Sequence, residues 1–163
     1  MNKEMVSLFN DQINRELYSA YLYLAIAHRF EKANLKGFAH WYKVQAREEE
    51  EHAEWFMDYL EQEGETVHLQ AIQEPELSSS SFQDLPEEAL RHEKYITKQI
   101  ERLCEAAEKC MDRRTRQMLN RLIDEQGEEE KNAREIADQM AMKYESIAAL
   151  DRLDRDLGKR GKK

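Results

Sequence analysis

Apolar residues recur along the chain in alternating steps of three and four, the seam of a helical bundle rather than the two-residue alternation of a strand. From about Lys3 to Phe30 they fall at Ile13, Ala20, Tyr23, Ala27 and Phe30. A second run begins near Leu35, carries Phe38, Tyr42, Gln45, Phe56 and Tyr59, and ends before Gly64, a C-terminal stop signal. A third starts at "DLPEEAL", where Asp84 is placed to cap, Pro86 to sit in the first turn and Glu87 to complete a capping box. Its stripe is Ala89, Ile96, Ile100, Leu103, Ala107 and Cys110. The fourth follows a phase break at Asp112, a further N-cap, and carries Leu122, Ala133, Ile136 and Met140.

Connection lengths turn these four helices into a topology. A few residues around Asn34 join the first two, and the junction near Asp112 is as short, so each pair is antiparallel. Between the second and third lies Glu65 to Gln83, with Pro75 and "SSSS". A helix of about 28 residues is roughly 42 Å long, and ~19 extended residues reach at most ~60 Å. The segment can therefore run the whole bundle length, which makes helices two and three parallel. The fold class is all-α: a four-helix bundle (about 3–143) with one long crossover, in a single domain spanning 1–163. Beyond it, Ser146 caps a short fifth helix to about residue 157 with apolar Ile147, Leu150, Leu153 and Leu157. That stripe has no partner left in the bundle, so it covers one end or packs against other subunits, and exposure of the stripe favours the second. The basic "GKRGKK" that follows reads as a disordered tail.

Composition narrows the setting. With 5 Gly, 2 Pro and 36% charged residues the chain suits long helices. A net charge of −9 argues against nucleic acid as a partner, and no apolar run approaches the ~20 residues that cross a bilayer. Two cysteines, Cys104 and Cys110, are too few for a disulfide framework and fit a reduced, cytoplasmic chain.

The seams have gaps, and the gaps carry chemistry. Helix one skips to Glu16; helix two, within "REEEEHAEW", places Glu49 and His52 inward; helix three has Glu93; helix four has Gln126 and Glu129. Each gap lies near the middle of its helix, so the residues share one depth. Converging buried carboxylates with almost no seam Lys or Arg to neutralise them require a cation. Oxygen donors with one imidazole suit iron or manganese, with zinc as competitor. Glu49 and His52 form the Glu-x-x-His of ferritin-like dimetal bundles, and Glu16 and Glu93 supply the single carboxylates.

At these residues the chain resembles non-haem ferritins of the bacterial and archaeal type. "INRELYSAYLYLA", "LKGFAHWYKVQAREEEEHAEWFMDYL" and "DEQGEEEK" are similar to the family's first, second and fourth helices, and the likeness runs from Asn2 to about Gly158. The resemblance implies a cytoplasmic homo-oligomer, a cage of twenty-four subunits, that oxidises Fe(II) with oxygen or hydrogen peroxide and stores the ferric mineral. It implies Glu16, Glu49 and His52 as ligands of a first iron. A second would be bridged by Glu49 and bound by Glu93 and Glu129 with Gln126 nearby. It further implies a third iron site at Glu48, Glu125 and Glu128, residues that otherwise read as solvated charge. Tyr23, on the face of Glu16, is the family's tyrosine beside the diiron centre; without the resemblance it is an ordinary core aromatic.

Departures matter as well. Haem-binding relatives carry Met two residues before the helix-two histidine and a Glu-x-x-His in helix four; Glu50 and the Gln126 motif stand here, which disfavours haem. Arg121, in "LNRLIDEQ", interrupts the aromatic stretch common before the helix-four motif, so no tryptophan relay is expected there. His28, His40, His68 and His92 fall off the seams and read as surface or rim residues. Two rival functions share the pattern: a scaffold with structural zinc or no metal, and a diiron oxygenase or peroxidase. The latter needs an apolar pocket that Tyr23, Tyr42 and Phe56 are expected to fill.

Overall fold

The computed structural model describes residues 1–161. Among the described residues five α-helices follow one another: α1 (Lys3–Lys32), α2 (Lys36–Gln62), α3 (Leu85–Lys109), α4 (Arg113–Lys143) and α5 (Ile147–Leu157). The four-helix bundle, crossover and fifth helix are those the spacing predicts.

Three helix ends share one device. Asn34 (φ 59°), Gly64 (φ 76°) and Met111 (φ 53°) adopt the left-handed conformation just past α1, α2 and α3. Each lets the following amide reach back, Leu35 N to Phe30 O at 3.0 Å, Glu65 N to Leu60 O at 2.9 Å and Asp112 N to Ala107 O at 2.9 Å, satisfying orphan carbonyls. Side chains close the opposite ends: Asn2 Oδ1 accepts from Glu4 N at 2.8 Å, Asp112 Oδ1 from Thr115 N at 3.0 Å and Ser146 Oγ from Ala149 N at 3.2 Å. Asp84 does not cap α3 as expected. A 3-10 turn at Phe82–Asp84 feeds the helix, so Asp84 already has helical dihedrals and accepts from Ser79 Oγ at 2.7 Å instead. Glu87 of the expected capping box is exposed, and Glu88 takes the anchoring role, accepting from Ser79 N at 2.9 Å and from the Ser78 hydroxyl.

The crossover lies along α1 in register. Asn10 meets Thr66 and His68, Asn14 meets Gln70 and Ala71, Tyr18 meets Glu76, and Arg29 meets Ser79. Rising numbers pair with rising numbers, so the segment runs parallel to α1 and antiparallel to α2. It delivers α3 to the end where α2 began, which makes α2 and α3 parallel.

The core divides into two apolar blocks. One holds Tyr23, Phe30, Phe38, Tyr42, Ala89, Ile136 and Met140; the other holds Phe9, Ile13, Phe56, Leu60, Ile96, Leu103 and Leu122. Along every long helix the polar seam residues fall between the two blocks. Apolar packing above and below therefore fixes the depth of a single polar layer.

Two expectations about the C-terminus change. α5 covers the bundle end: Leu153 is buried and Leu150 and Leu157 pack on the first block, leaving Ile147 exposed from the stripe. Its seat is set by Gly37, where Asp154 comes so close that no side chain fits, and by Phe38 N donating to Asp154 Oδ1 at 2.9 Å. The basic tail is not loose at Arg160, which docks on α2; Lys162 and Lys163 lie outside the described residues. Cys110, expected on the α3 stripe, is half-buried at its end.

Candidate metal centre

The polar layer brings one or two side chains from each long helix into contact. Ligand atoms of Glu16, Glu49 and His52 lie within 4.8 Å of one another, and so do those of Glu49, Glu93 and Glu129. Glu49 belongs to both groups, so the arrangement is two adjoining pockets with one carboxylate between them. All five side chains are buried.

Neutral donors orient these acids. Gln12 Nε2 donates to Glu16 Oε1 at 2.9 Å. Gln45 Nε2 donates to Glu49 Oε1 at 3.0 Å and to Glu129 Oε2 at 2.7 Å. Tyr23 donates its hydroxyl to Glu93 Oε1, and Gln126 Nε2 donates to Glu93 Oε2 at 2.6 Å. Gln126 thus reaches the centre as a donor to Glu93. His52 Nδ1 donates to Glu49 Oε2 at 3.1 Å, while its Nε2 faces Glu125 at 3.8 Å and Glu129 at 3.9 Å.

The electrostatics are those of a site built for positive charge. Burial, then the Glu49 carboxylate, raises Glu16 from 4.5 to about 8. Burial, then Glu93, raises Glu129 to about 7, and burial also drives Glu49 and Glu93 upward. Glu16 Oε2 is buried with no hydrogen-bond partner among the described residues. An orphaned carboxylate oxygen beside three more acids and one imidazole is a poor arrangement for an apolar core and a good one for a cation. The residues present fit divalent metal.

The remaining predicted residues stand outside the two pockets. Glu48 is half-buried and held by Arg160 Nη2 at 2.8 Å; Glu125 is half-buried beside His52; Glu128 and Glu50 are exposed. Arg121 stacks on Trp55 at 4.9 Å, and that ring lies 5.4 Å from His52.

Two histidines are more than rim residues. His92 Nε2 bonds the buried Ser19 hydroxyl at 2.6 Å and its ring packs on Tyr23; burial lowers it to about 4, so it is neutral. His40 Nε2 donates to Arg160 O at 2.8 Å. Sequence reasoning missed Gln12 and the tail contact of Arg160. An amide four residues before a seam glutamate was a visible signal for Gln12; for Arg160 there was none.

A family model described as a ferritin-like domain matches residues 6–142. The chain belongs to the ferritin family. Among curated ferritins it is 35% identical to a bacterial non-heme ferritin of Staphylococcus epidermidis over 130 residues, 80% of this chain and 78% of that one. It is also 35% identical to a bacterial non-heme ferritin of Campylobacter jejuni over 142 residues, 87% and 85% of the two chains. An open-pore ferritin from the hyperthermophilic archaeon Archaeoglobus fulgidus superposes with a TM-score of 0.95 at 38% identity, covering 98% of both chains. The ferritin likeness thus includes α5, beyond the segment the family model matches.

Proposed function

We propose that this chain is an iron-storage subunit that oxidises Fe(II) to Fe(III) with oxygen or hydrogen peroxide. Together with copies of itself it would enclose the ferric product in a cage, of twenty-four subunits as the resemblance implies. One observation carries the reading: Glu49 is shared by two carboxylate pockets. Two Fe(II) ions held side by side together supply the two electrons that take oxygen to hydrogen peroxide. Carboxylates favour the harder Fe(III), which promotes electron loss. Glu16, Glu49 and His52 would hold one ion and Glu49, Glu93 and Glu129 the other, with Gln126 and Tyr23 fixing Glu93. Glu48, Glu125 and Glu128 would form an outer acidic station for a third ion, provided Arg160 releases Glu48. Nothing in this donor set calls for haem.

Assembly is supported by apolar residues at the α4–α5 junction, where Met142, Tyr144 and Ile147 are exposed. No helix among the described residues is long and apolar enough to cross a membrane, and we place the subunit in the cytoplasm. An oxygenase acting on an organic substrate is disfavoured because Tyr23 and Tyr42, stacked at 5.9 Å, fill the space beside the acids.

Oxygen consumption on adding Fe(II) in air tests the activity, with Glu49→Ala/His52→Ala as the control variant. Oxidation by that variant at the wild-type rate would refute the assignment. Light scattering tests storage: a particle no larger than a dimer in all salt conditions removes it.

A further inference from the structure

The side chain of Gln45 is buried between groups of opposite character. On its inner side one NH2 holds Glu49 Oε1 and Glu129 Oε2 together, at 3.0 and 2.7 Å. On its outer side Oε1 accepts from Arg160 Nη2 at 3.0 Å. A guanidinium only donates and a carboxylate only accepts, so both sides dictate the same amide orientation.

Arg160 is itself tightly placed. Nη1 donates to Trp41 O at 3.0 Å, Nη2 also to Glu48 Oε2 at 2.8 Å, and the guanidinium lies 4.0 Å above the Trp41 ring. His40 binds its backbone oxygen. A planar, multiply held arginine at this place behaves as structure rather than as a solvated tail charge.

We propose that Arg160 is a positioning residue for the Glu49–Glu93–Glu129 pocket: it locks the Gln45 amide, which presents Glu49 and Glu129 at a fixed separation to an incoming divalent cation. This rests on the reading of those acids as a metal centre. The neighbouring pocket has its own support, Gln12 on Glu16, so it depends less on the tail. Charge alone predicts the opposite sign. Removing a cation beside an acidic centre strengthens its attraction for any divalent ion, whereas loss of a support weakens one pocket.

The test is an anaerobic titration of the metal-free full-length protein with Co(II), followed by visible absorption and calorimetry. Wild type is expected to show two binding events per chain; His52→Ala identifies the event belonging to the Glu93 pocket as the one that survives. Arg160→Gln is expected to weaken that event by about tenfold, the lower end of what loss of a supporting partner produces, with the other event, which shares only Glu49 with it, weakened less. Arg160→Lys, which keeps the charge and one donor, should recover part of the loss. Circular dichroism reports whether each variant folds, and if Arg160→Gln does not, the same unequal weakening is required of Arg160→Lys. Unchanged or tighter binding, or equal weakening of both events, overturns the proposal. A wild-type protein that takes up no Co(II) removes the metal centre itself, and the positioning role with it.

Discussion

Tyr23 on α1 donates its hydroxyl across the bundle to Glu93 Oε1 on α3, while Gln126 on α4 holds the other oxygen. Glu93 is thereby oriented from two helices. Burial, then the charges of Glu93 and Glu49, keep the phenol well above its ordinary range, so it remains a donor.

Tyr23→Phe keeps the ring and its packing but leaves one Glu93 oxygen free to turn. The loss of a hydrogen bond to a buried acid costs about 1–3 kcal/mol of stability, readable by thermal denaturation of the metal-free protein. Fe(II) oxidation should slow by roughly 10- to 100-fold, as for other supporting partners of a metal centre. A stopped-flow trace indistinguishable from wild type would show that Glu93 needs no such support.

Sharing of Glu49 predicts an asymmetry between two substitutions. His52→Ala removes a donor from one pocket only, so one metal ion per chain should remain in a Zn(II) titration by calorimetry. Glu49→Ala touches both pockets and is expected to reduce binding to below one ion. Equal stoichiometry in the two variants would mean that Glu49 does not bridge the pockets.

The sequence disclosed the fold and the inner acids because both obey helical periodicity. A glutamate in an apolar seam marks its own direction, so Glu16, Glu49, Glu93 and Glu129 were legible one helix at a time. Contacts between distant segments leave no such trace. Nothing in "GKRGKK" reveals that Arg160 returns to Gln45, and nothing at Gly37 announces Asp154. The α5 stripe left two placements open for the same reason. Its apolar face was visible, but whether its own bundle or a second subunit covers it depends on how the chain turns after Lys143. His92 was likewise off the seam of α3, yet it is half-buried and packs against Ser19 and Tyr23.

The raised carboxyls make the metal-free protein pH-sensitive. Glu16 titrates near 8 in the folded chain against 4.5 when unfolded, and Glu129 near 7. Their contribution is most favourable below the unfolded value and is lost as pH rises through 7 to 8, because the unfolded chain releases these protons first. His92 acts in the other direction, its folded value of about 4 lying below 6.5, so its contribution is lost on acidification across that window. The clean comparison is therefore Glu16→Gln with wild type, both metal-free. The two should melt at similar temperatures near pH 5, and the variant should melt progressively higher toward pH 8. A gap that stays constant over this range would show that Glu16 is not raised.

Gly37 is expected to be the position where one methyl group unseats α5. A Cβ placed there would lie 1.6 Å from the Asp154 carbonyl oxygen, backbone against backbone, so neither side can yield by a rotamer change. Gly37→Ala must push α5 outward, and with it the Asp154 carboxylate that accepts from Phe38 N at the start of α2. Overpacking of this kind costs about 1–3 kcal/mol, a Tm decrease of roughly 2–12 °C for a chain of this size. Because α2 and α4 continue to pair with α1 and α3, the bundle should survive while α5 detaches. Limited proteolysis reads this directly: the variant should be cut between Lys143 and Ile147 much faster than wild type, leaving a bundle-sized fragment. Displacement of α5 also moves the turn that carries Arg160 away from Trp41 and Gln45, so the same variant should show the unequal weakening expected of Arg160→Gln. An α5 as protected as in wild type would mean that the close approach at Gly37 does not seat the helix.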